Sequence, residues 1–219
     1  MEAKSLINVL VVDDHDLVRA GISRLLSDVP GIKVIAEADS GEEAVKIAKE
    51  KRPHVVLMDV KMPGIGGLEA TRKMLRNDPE IKIIALTIYG SEPFPTKLLQ
   101  AGASGYLTKG ALLEEMVNAI RTVYSGKRFL GPEIAQQLAL KTLSDAEKSP
   151  FDLLSERELQ VMIMITSGQS VQAISEKLCV SPKTINSYRY RIYEKLNVQS
   201  DVELTLLAMR HGILDTESS

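Results

Sequence analysis

The chain has 219 residues, of which 44% are hydrophobic and 26% are charged, with 27 Lys and Arg against 29 Asp and Glu and a formal net charge of −2. This length allows one large domain or two small ones, and the balance of apolar and charged residues is sufficient for a buried core. The charge balance excludes a strongly basic protein. Cys179 is the single cysteine, so an internal disulfide is excluded. No apolar run approaches the roughly 20 residues that a membrane span needs.

The first half of the chain alternates short apolar runs with helical periods. The predicted strands are INVLVV, IKVIAEA, HVVLMD, IKIIALT and SGYLTK, and a predicted helix follows each of them. Five such strand–helix units in series predict an α/β fold with a doubly wound, five-stranded parallel sheet. Ser40 and Glu43 have the spacing of a capping box before the second helix. We expect this domain to span residues 1–126.

A linker with one helix is predicted between residues 127 and 152. The helix runs from about Pro132 to Leu143, because proline suits a first helical turn. The stretch SDAEKSPF that follows is polar and contains proline, which is typical of a linker.

The remainder, residues 153–219, carries only helical patterns. Ser155 and Glu158 have capping-box spacing, and Ser181-Pro182 marks another helix start. Short helices joined by Gly168 and by the stretch CVSP predict an all-α helix-turn-helix domain.

Polar side chains stand where the predicted strands end, namely Asp13, Asp14, Asp59, Thr87 and Lys109. The carboxyl ends of parallel strands share one edge of the sheet, so these side chains are expected to meet there. Three carboxylates in one crevice repel one another, and Mg²⁺, which prefers oxygen ligands, relieves that repulsion. Taken singly, the acids could be a turn, a helix cap or a loop residue, and the lysine could be solvated. Their joint occurrence favours a site. We expect the neighbouring His15 to pack or hydrogen-bond rather than bind metal.

The stretches VVDDH, VVLMDVKMPG, ALT and GYLTK resemble the receiver domain of bacterial two-component response regulators. The resemblance implies that Asp59 is the phosphoacceptor and attacks a phosphohistidine of a sensor histidine kinase. It implies that the cofactor is Mg²⁺, with the ligands Asp13, Asp14, Asp59 and the backbone carbonyl of Lys61. It also implies that Thr87 and Lys109 bind phosphoryl oxygens.

The same resemblance implies a switch in which Thr87 moves toward the phosphoryl group and Tyr106 turns inward. Two features depart from the receiver pattern. Gly110 follows the lysine where many receivers have proline, and Pro93 and Pro95 shorten the start of the fourth helix.

The stretch from Leu154 to Leu204 resembles the LuxR-type, or NarL/FixJ-type, helix-turn-helix. Acidic residues outnumber basic ones in this half, but basic residues are concentrated between Ser181 and Leu196. Phosphate contacts position a protein on duplex DNA, and base contacts specify the sequence. We assign Lys183, Thr184, Arg191 and Lys195 mainly to phosphates, and Asn186, Ser187 and Tyr190 to base edges or nearby contacts in the major groove.

Together the two resemblances imply a transcription factor controlled by phosphorylation, which is not an enzyme. Stretches such as PGIGGLEATRKM and SPKTINSYRYRIYEKLN look like the GacA/UvrY group, which responds to a hybrid sensor kinase and activates genes for small regulatory RNAs. We expect double-stranded DNA and a sensor histidine kinase as partners, a homodimer when phosphorylated, a cytoplasmic location and no membrane contact.

Two other classes of function are open to the same residues. The first is an adaptor that uses the receiver fold without phosphorylation. The second is an Asp-based Mg²⁺ phosphatase of the haloacid dehalogenase type, which needs a second Asp two residues after the nucleophile. Lys61 occupies that position, which argues against the phosphatase.

Overall fold

Apolar runs form a parallel sheet in the first of two units that make up the computed structural model, which describes residues 6–87, 94–143, 149–211 and 213. The strands are β1 (Ile7–Val12), β2 (Ile32–Ala38), β3 (Val55–Asp59), β4 (Lys82–Thr87), β5 (Gly105–Thr108) and β6 (Phe129–Leu130). Their order in the sheet is β2-β1-β3-β4-β5-β6. The central strands β1, β3 and β4 are apolar along most of their length, because both faces of a doubly wound sheet are buried.

Helices cover both faces of this sheet. They are α1 (Asp16–Ser27), α2 (Gly41–Lys51), α3 (Gly66–Asn77), α4 (Phe94–Gln100), α5 (Leu113–Tyr124) and α6 (Pro132–Leu143). Side chains of α1 and α5 share one core cluster with one face of the sheet, and side chains of α2 and α3 share a second cluster with the other face. The predicted α/β fold class is therefore confirmed.

The prediction of five strands was wrong by one. β6 consists of two residues, and it pairs in parallel with β5 so that Gly105 faces Phe129 and Tyr106 faces Leu130. A two-residue strand has no periodicity to detect, and its pairing is decided by the edge of β5 that lies open to it. The helix predicted from Pro132 to Leu143 has those bounds, and it packs on β5.

The limits predicted for the three segments, 1–126, 127–152 and 153–219, stay predictions. The described residues divide into a first unit that ends at 143 and a second that begins at 149, so β6 and α6 lie with the sheet rather than apart from it. Residues 144–148 of the predicted linker, and Pro93 before α4, lie outside the described part of the chain.

The second unit is all helical. A 3-10 helix (Pro150–Leu153) is followed by α7 (Glu156–Thr166), α8 (Val171–Leu178), α9 (Pro182–Leu196) and α10 (Asp201–Arg210). The capping box at α7 forms as predicted, with Ser155 accepting from the backbone of Glu158 and the Glu158 side chain accepting from that of Ser155. α8 and α9 pack against each other across a turn in which Cys179 has a left-handed backbone. Among the described residues, no helix combines the length and the apolar character needed to cross a membrane.

Candidate functional site

The carboxyl edge of the sheet brings together the acids that the sequence placed at the strand ends. β1 pairs with β3 so that Val12 faces Met58, and the residues that follow, Asp13 and Asp59, therefore reach the same edge. Ligand oxygens or nitrogens of Asp13, Asp14, His15 and Asp59 all lie within 4.8 Å of one another. Asp13 and Asp59 are buried, whereas Asp14 is partly exposed and His15 is exposed.

Lys109 neutralises the two buried acids. Its Nζ donates to Asp59 Oδ2 at 2.9 Å and lies 2.7 Å from Asp13 Oδ2. Its backbone N–H donates to the carbonyl of Thr87, so the end of β5 is fixed against the end of β4. The Lys109 ammonium group therefore contacts two carboxylates from different strands directly.

Burial raises the pKa of Asp59 from 3.8 to about 6. The attraction and the hydrogen bond of Lys109 oppose that rise, the charge of Asp13 adds to it, and a hydrogen bond from the Lys61 backbone opposes it. For Lys109 itself burial lowers the pKa, but the carboxylates of Asp59 and Asp13 outweigh burial and the pKa rises above its usual value. Near neutral pH the site consequently holds an ionised lysine beside a largely ionised Asp59.

The donor set fits a small divalent cation. Asp13 Oδ2 and Asp14 Oδ1 are buried carboxylate oxygens, and they lie 2.7 Å from the ammonium of Lys109 and 2.9 Å from the ring of His15, respectively. Carboxylate oxygens are the ligands that Mg²⁺ prefers. His15 Nδ1 lies 3.2 Å from Asp13 and 2.9 Å from Asp14. Because the same residue belongs to the cluster of possible metal ligands, the expectation that His15 does not bind metal stays a prediction.

The loop after Asp59 lies unusually close to the site. The Lys61 N–H donates to Asp59 Oδ1 at 3.2 Å, which directs the loop backbone toward the acids. A Cβ on Gly67 would stand 2.1 Å from the Asp59 carbonyl oxygen, so only glycine allows α3 to begin there. Glu42, which the sequence reasoning did not identify, accepts from the backbone N–H of Ile65 at 3.2 Å and braces this loop from α2.

Thr87 ends β4, and Tyr106 lies in the adjacent strand β5, where it pairs with Ala85. Both side chains are buried, and Tyr106 is turned into the core. Burial raises the pKa of Tyr106, Thr87 partly opposes that rise, and the charge of Asp59 adds to it. The phenol oxygen is buried, and the Thr87 hydroxyl is the polar group beside it. A movement of Thr87 therefore changes the polar surroundings of the Tyr106 hydroxyl.

The second candidate site is the exposed face of α9. Lys183, Ser187 and Arg191 recur at helical spacing and are exposed, and Tyr190 beside them is 71% exposed. Within the described residues, the side chains of Lys183 and Arg191 make no hydrogen bond or ion pair. Thr184 and Asn186 are half-buried, and the Thr184 hydroxyl is engaged by Ser181 at 2.8 Å. The structure therefore brings four of the seven residues that the sequence assigned to DNA onto one open face.

Lys195 has a different environment from the other predicted DNA contacts. Its Nζ lies 2.7 Å from the carboxylate of Glu158, the buried acid of the α7 capping box. Burial raises the pKa of Glu158, but Lys195 and the two groups of Ser155 outweigh that effect and leave the pKa below its usual value. In this position Lys195 holds α9 against α7, and its contact with DNA stays a prediction.

Comparisons with protein families match both halves of the chain. Residues 9–121 match the response regulator receiver domain, and residues 152–208 match the bacterial regulatory proteins of the LuxR family. Both matches contain the sites described above.

Comparisons with individual proteins cover nearly the whole chain. It is 64% identical to the response regulator GacA of Pseudomonas syringae, over 97% of this chain and 100% of that protein. It is 58% identical to the response regulator UvrY of Escherichia coli, over 97% of this chain and 98% of that protein. A solved complex of the two-component response regulator RcsB with DNA is 25% identical, with a TM-score of 0.59 over 94% of this chain and 98% of that one.

Proposed function

Because the chain belongs to the two-component response regulators that combine a receiver domain with a LuxR-family DNA-binding domain, we propose that Asp59 accepts a phosphoryl group from a sensor histidine kinase and that this event controls DNA binding by α9. Members of this family are DNA-binding transcription regulators rather than enzymes acting on outside substrates.

The observation that carries the proposal is the pairing of Asp59 with Lys109 at 2.9 Å in a buried acidic crevice. Phosphoryl transfer depends on positioning and on charge neutralisation, with little covalent work left to the protein. The Asp59 carboxylate attacks phosphorus, and the bond from phosphorus to the histidine nitrogen of the donor breaks. Lys109 then exchanges a carboxylate oxygen for a phosphoryl oxygen and keeps an anionic partner throughout.

The metal ligands in this proposal are the carboxylates of Asp13, Asp14 and Asp59 and the backbone carbonyl of Lys61. A bound Mg²⁺ neutralises phosphoryl charge during transfer. The buried carboxylate oxygens of Asp13 and Asp14, which lie in one cluster with Asp59, support this assignment.

Thr87 and Tyr106 form the switch in this proposal. The hydroxyl of Thr87 donates to a phosphoryl oxygen, and its movement changes the space and the polar contacts around the buried phenol of Tyr106. Phosphorylation adds about −1.5 to −2 charges. It can shift the receiver between two conformations only because those charges bind one conformation better than the other.

The output of the proposal is a phosphorylated homodimer on double-stranded DNA. Lys183 and Arg191 contact phosphates, because they are exposed cations of α9 whose side chains have no partner in the described part of the chain. Ser187, Tyr190 and Asn186 reach or approach base edges, and Thr184 supports the start of the helix. By similarity to GacA and UvrY, the target genes encode small regulatory RNAs, and the regulator acts in the cytoplasm.

The phosphoacceptor assignment is tested with acetyl phosphate and Mg²⁺. Intact-mass measurement of the full chain is expected to detect one added phosphoryl group on the wild type and none on Asp59→Asn. Asp28→Asn, which removes an exposed acid just after the end of α1, is the control and is expected to gain the group like the wild type. Phosphorylation of Asp59→Asn at the wild-type level would refute the assignment.

The DNA assignment is tested with a duplex that the phosphorylated wild-type chain selects from a randomised library. Each phosphate contact contributes about 0.9 to the slope of log affinity against log salt concentration. We expect Arg191→Ala to lower the slope by about that amount. An unchanged slope would show that Arg191 does not meet a phosphate.

A further inference from the structure

Arg189, like Lys195, is a basic residue of α9 that does not share the environment of Lys183 and Arg191. Its guanidinium contacts α10, where Nε donates to Asp201 Oδ1 at 2.9 Å and a terminal nitrogen donates to Asp201 Oδ2 at 2.5 Å. Both carboxylate oxygens therefore accept from one planar fork, which is the most geometrically specific form of ion pair.

Tyr193 completes the cluster from the next turn of α9. Its hydroxyl donates to Asp201 Oδ1 at 2.5 Å and accepts from Arg189 Nε at 2.9 Å. The guanidinium carbon also lies 5.6 Å from the centroid of the Tyr193 ring. Burial lowers the pKa of Arg189, but its bonds to Tyr193 and Asp201 outweigh that effect and raise the pKa above the usual value. The charge of Arg189 is thus already matched inside the domain.

We propose that Arg189 is a positioning residue rather than a DNA contact: clamped by Asp201 and Tyr193, it ties the recognition helix α9 to the first residue of α10 and fixes the orientation of the exposed face of α9. This inference rests on the proposed function, since it requires α9 to be the helix that meets DNA. The bidentate geometry restricts rotation of α9 about its axis, and that rotation decides whether Tyr190 and Arg191 meet their targets in the groove.

The alternative is that Arg189 leaves Asp201 and binds a phosphate when DNA arrives. The two roles predict opposite effects for Asp201→Asn. A phosphate-seeking arginine is freed by this change, so affinity rises and the salt slope steepens by about 0.9. A positioning arginine loses its charged partner, so α9 becomes less well oriented and affinity for a selected sequence falls while the slope stays constant.

The experiment uses the full chain and two fluorescent duplexes, one selected by the wild type from a randomised library and one of unrelated sequence. We expect Asp201→Asn to bind the selected duplex about five- to tenfold more weakly, at the low end of the range that a misplaced base contact costs. Binding of the unrelated duplex is expected to change less than twofold, because it depends on charge rather than on register. If Arg189 and Asp201 only stabilised the fold, Asp201→Asn would increase the unfolded fraction of the protein and would weaken binding of both duplexes to the same extent. Circular dichroism measures that unfolded fraction, and equal weakening of both duplexes would count against a positioning role.

Two further variants complete the test. Arg189→Lys keeps the charge but lacks the fork, so it is expected to lose affinity for the selected duplex as Asp201→Asn does. Glu176→Gln removes an exposed acid of α8, and it controls for the change of net charge that accompanies Asp201→Asn. Tighter binding and a steeper slope for Asp201→Asn beyond this control, or wild-type affinity and slope for Arg189→Lys, would overturn the inference and leave the proposed function standing. A wild-type chain that selects no duplex at all would overturn both.

Discussion

Replacing Asp59 with Asn is expected to stabilise the receiver unit in the absence of metal, although Asp59 is the residue on which the function depends. Burial raises the pKa of this carboxyl from 3.8 to about 6, even after Lys109 has opposed the rise. The unfolded chain therefore loses this proton at lower pH than the folded chain does. Ionising Asp59 in the fold consequently costs free energy that asparagine does not incur.

The magnitude follows from that shift. A pKa unit corresponds to about 1.4 kcal/mol, so the rise from 3.8 to about 6 corresponds to about 3 kcal/mol. The raised folded pKa makes the wild type lose stability, relative to Asp59→Asn, as pH rises from about 4 to about 6. Below about pH 4 Asp59 is protonated in the folded and the unfolded chain alike, so its ionisation makes no difference to the free energy of unfolding. Above it the full difference of about 3 kcal/mol is present.

The assay is urea denaturation in EDTA at several pH values between 4 and 8, followed by circular dichroism. Hydrogen exchange of β3 peptides assigns the transition to the receiver unit. Asp28→Asn, which replaces an exposed acid just after the end of α1, is the control and is expected to show no comparable trend. A difference between Asp59→Asn and wild type that stays flat from pH 4 to pH 7, or a variant that is less stable at pH 7, would refute the reasoning.

Three further changes test the structure around the sites. Lys109→Met leaves two buried carboxylates without their cation, and thermal unfolding in EDTA is expected to report a loss of about 3–5 kcal/mol that added Mg²⁺ partly restores. Gly67→Ala drives a Cβ toward the Asp59 carbonyl oxygen and is expected to cost about 3 kcal/mol in urea denaturation. Its matched control, Gly21→Ala, meets open space in α1 and should gain about 0.5–1 kcal/mol. Ser155→Ala removes the cap of α7 and is expected to lower the stability of the second unit by about 1 kcal/mol. Equal stabilities for the two glycine variants, or wild-type stability for either of the others, would contradict these expectations.

The sheet and its acidic edge could be predicted because the strands and the polar residues that end them both have a clear sequence pattern. Fully buried strands are continuous apolar runs, and each run stops at a polar residue that the parallel topology carries to the same edge. β6 could not be predicted, because two residues carry no period and its pairing depends on an edge formed elsewhere in the chain.

The two predicted capping boxes illustrate the limit of local spacing. Ser155 and Glu158 cap α7 reciprocally. Ser40 begins α2 without a side-chain hydrogen bond, and Glu43 accepts instead from the backbone of Asp39, so that prediction was wrong. The spacing is the same in both cases, and the backbone that leads into each helix decides whether the serine hydroxyl faces inward.

The sequence also could not divide the cations of α9 into those facing solvent and those held internally. Arg189 and Arg191 are the same type of residue and lie only two residues apart. The partner of Arg189 is Asp201, which lies on another helix and is brought near only by tertiary packing. The same holds for Glu42, which reaches the loop after Asp59 from a separate element. Contacts between separate elements do not produce a regular residue spacing within one segment, so the sequence of that segment cannot predict them.

The central claim is that a phosphoryl group on Asp59 changes how α9 binds duplex DNA. The most direct measurement compares the affinity of the wild-type chain and of Asp59→Asn for the selected duplex, before and after treatment with acetyl phosphate and Mg²⁺. The account predicts tighter binding by the treated wild type and no response from Asp59→Asn. Equal affinity of the treated and untreated wild type, at full phosphorylation by mass, would contradict it, as would a response from Asp59→Asn that matches the wild type.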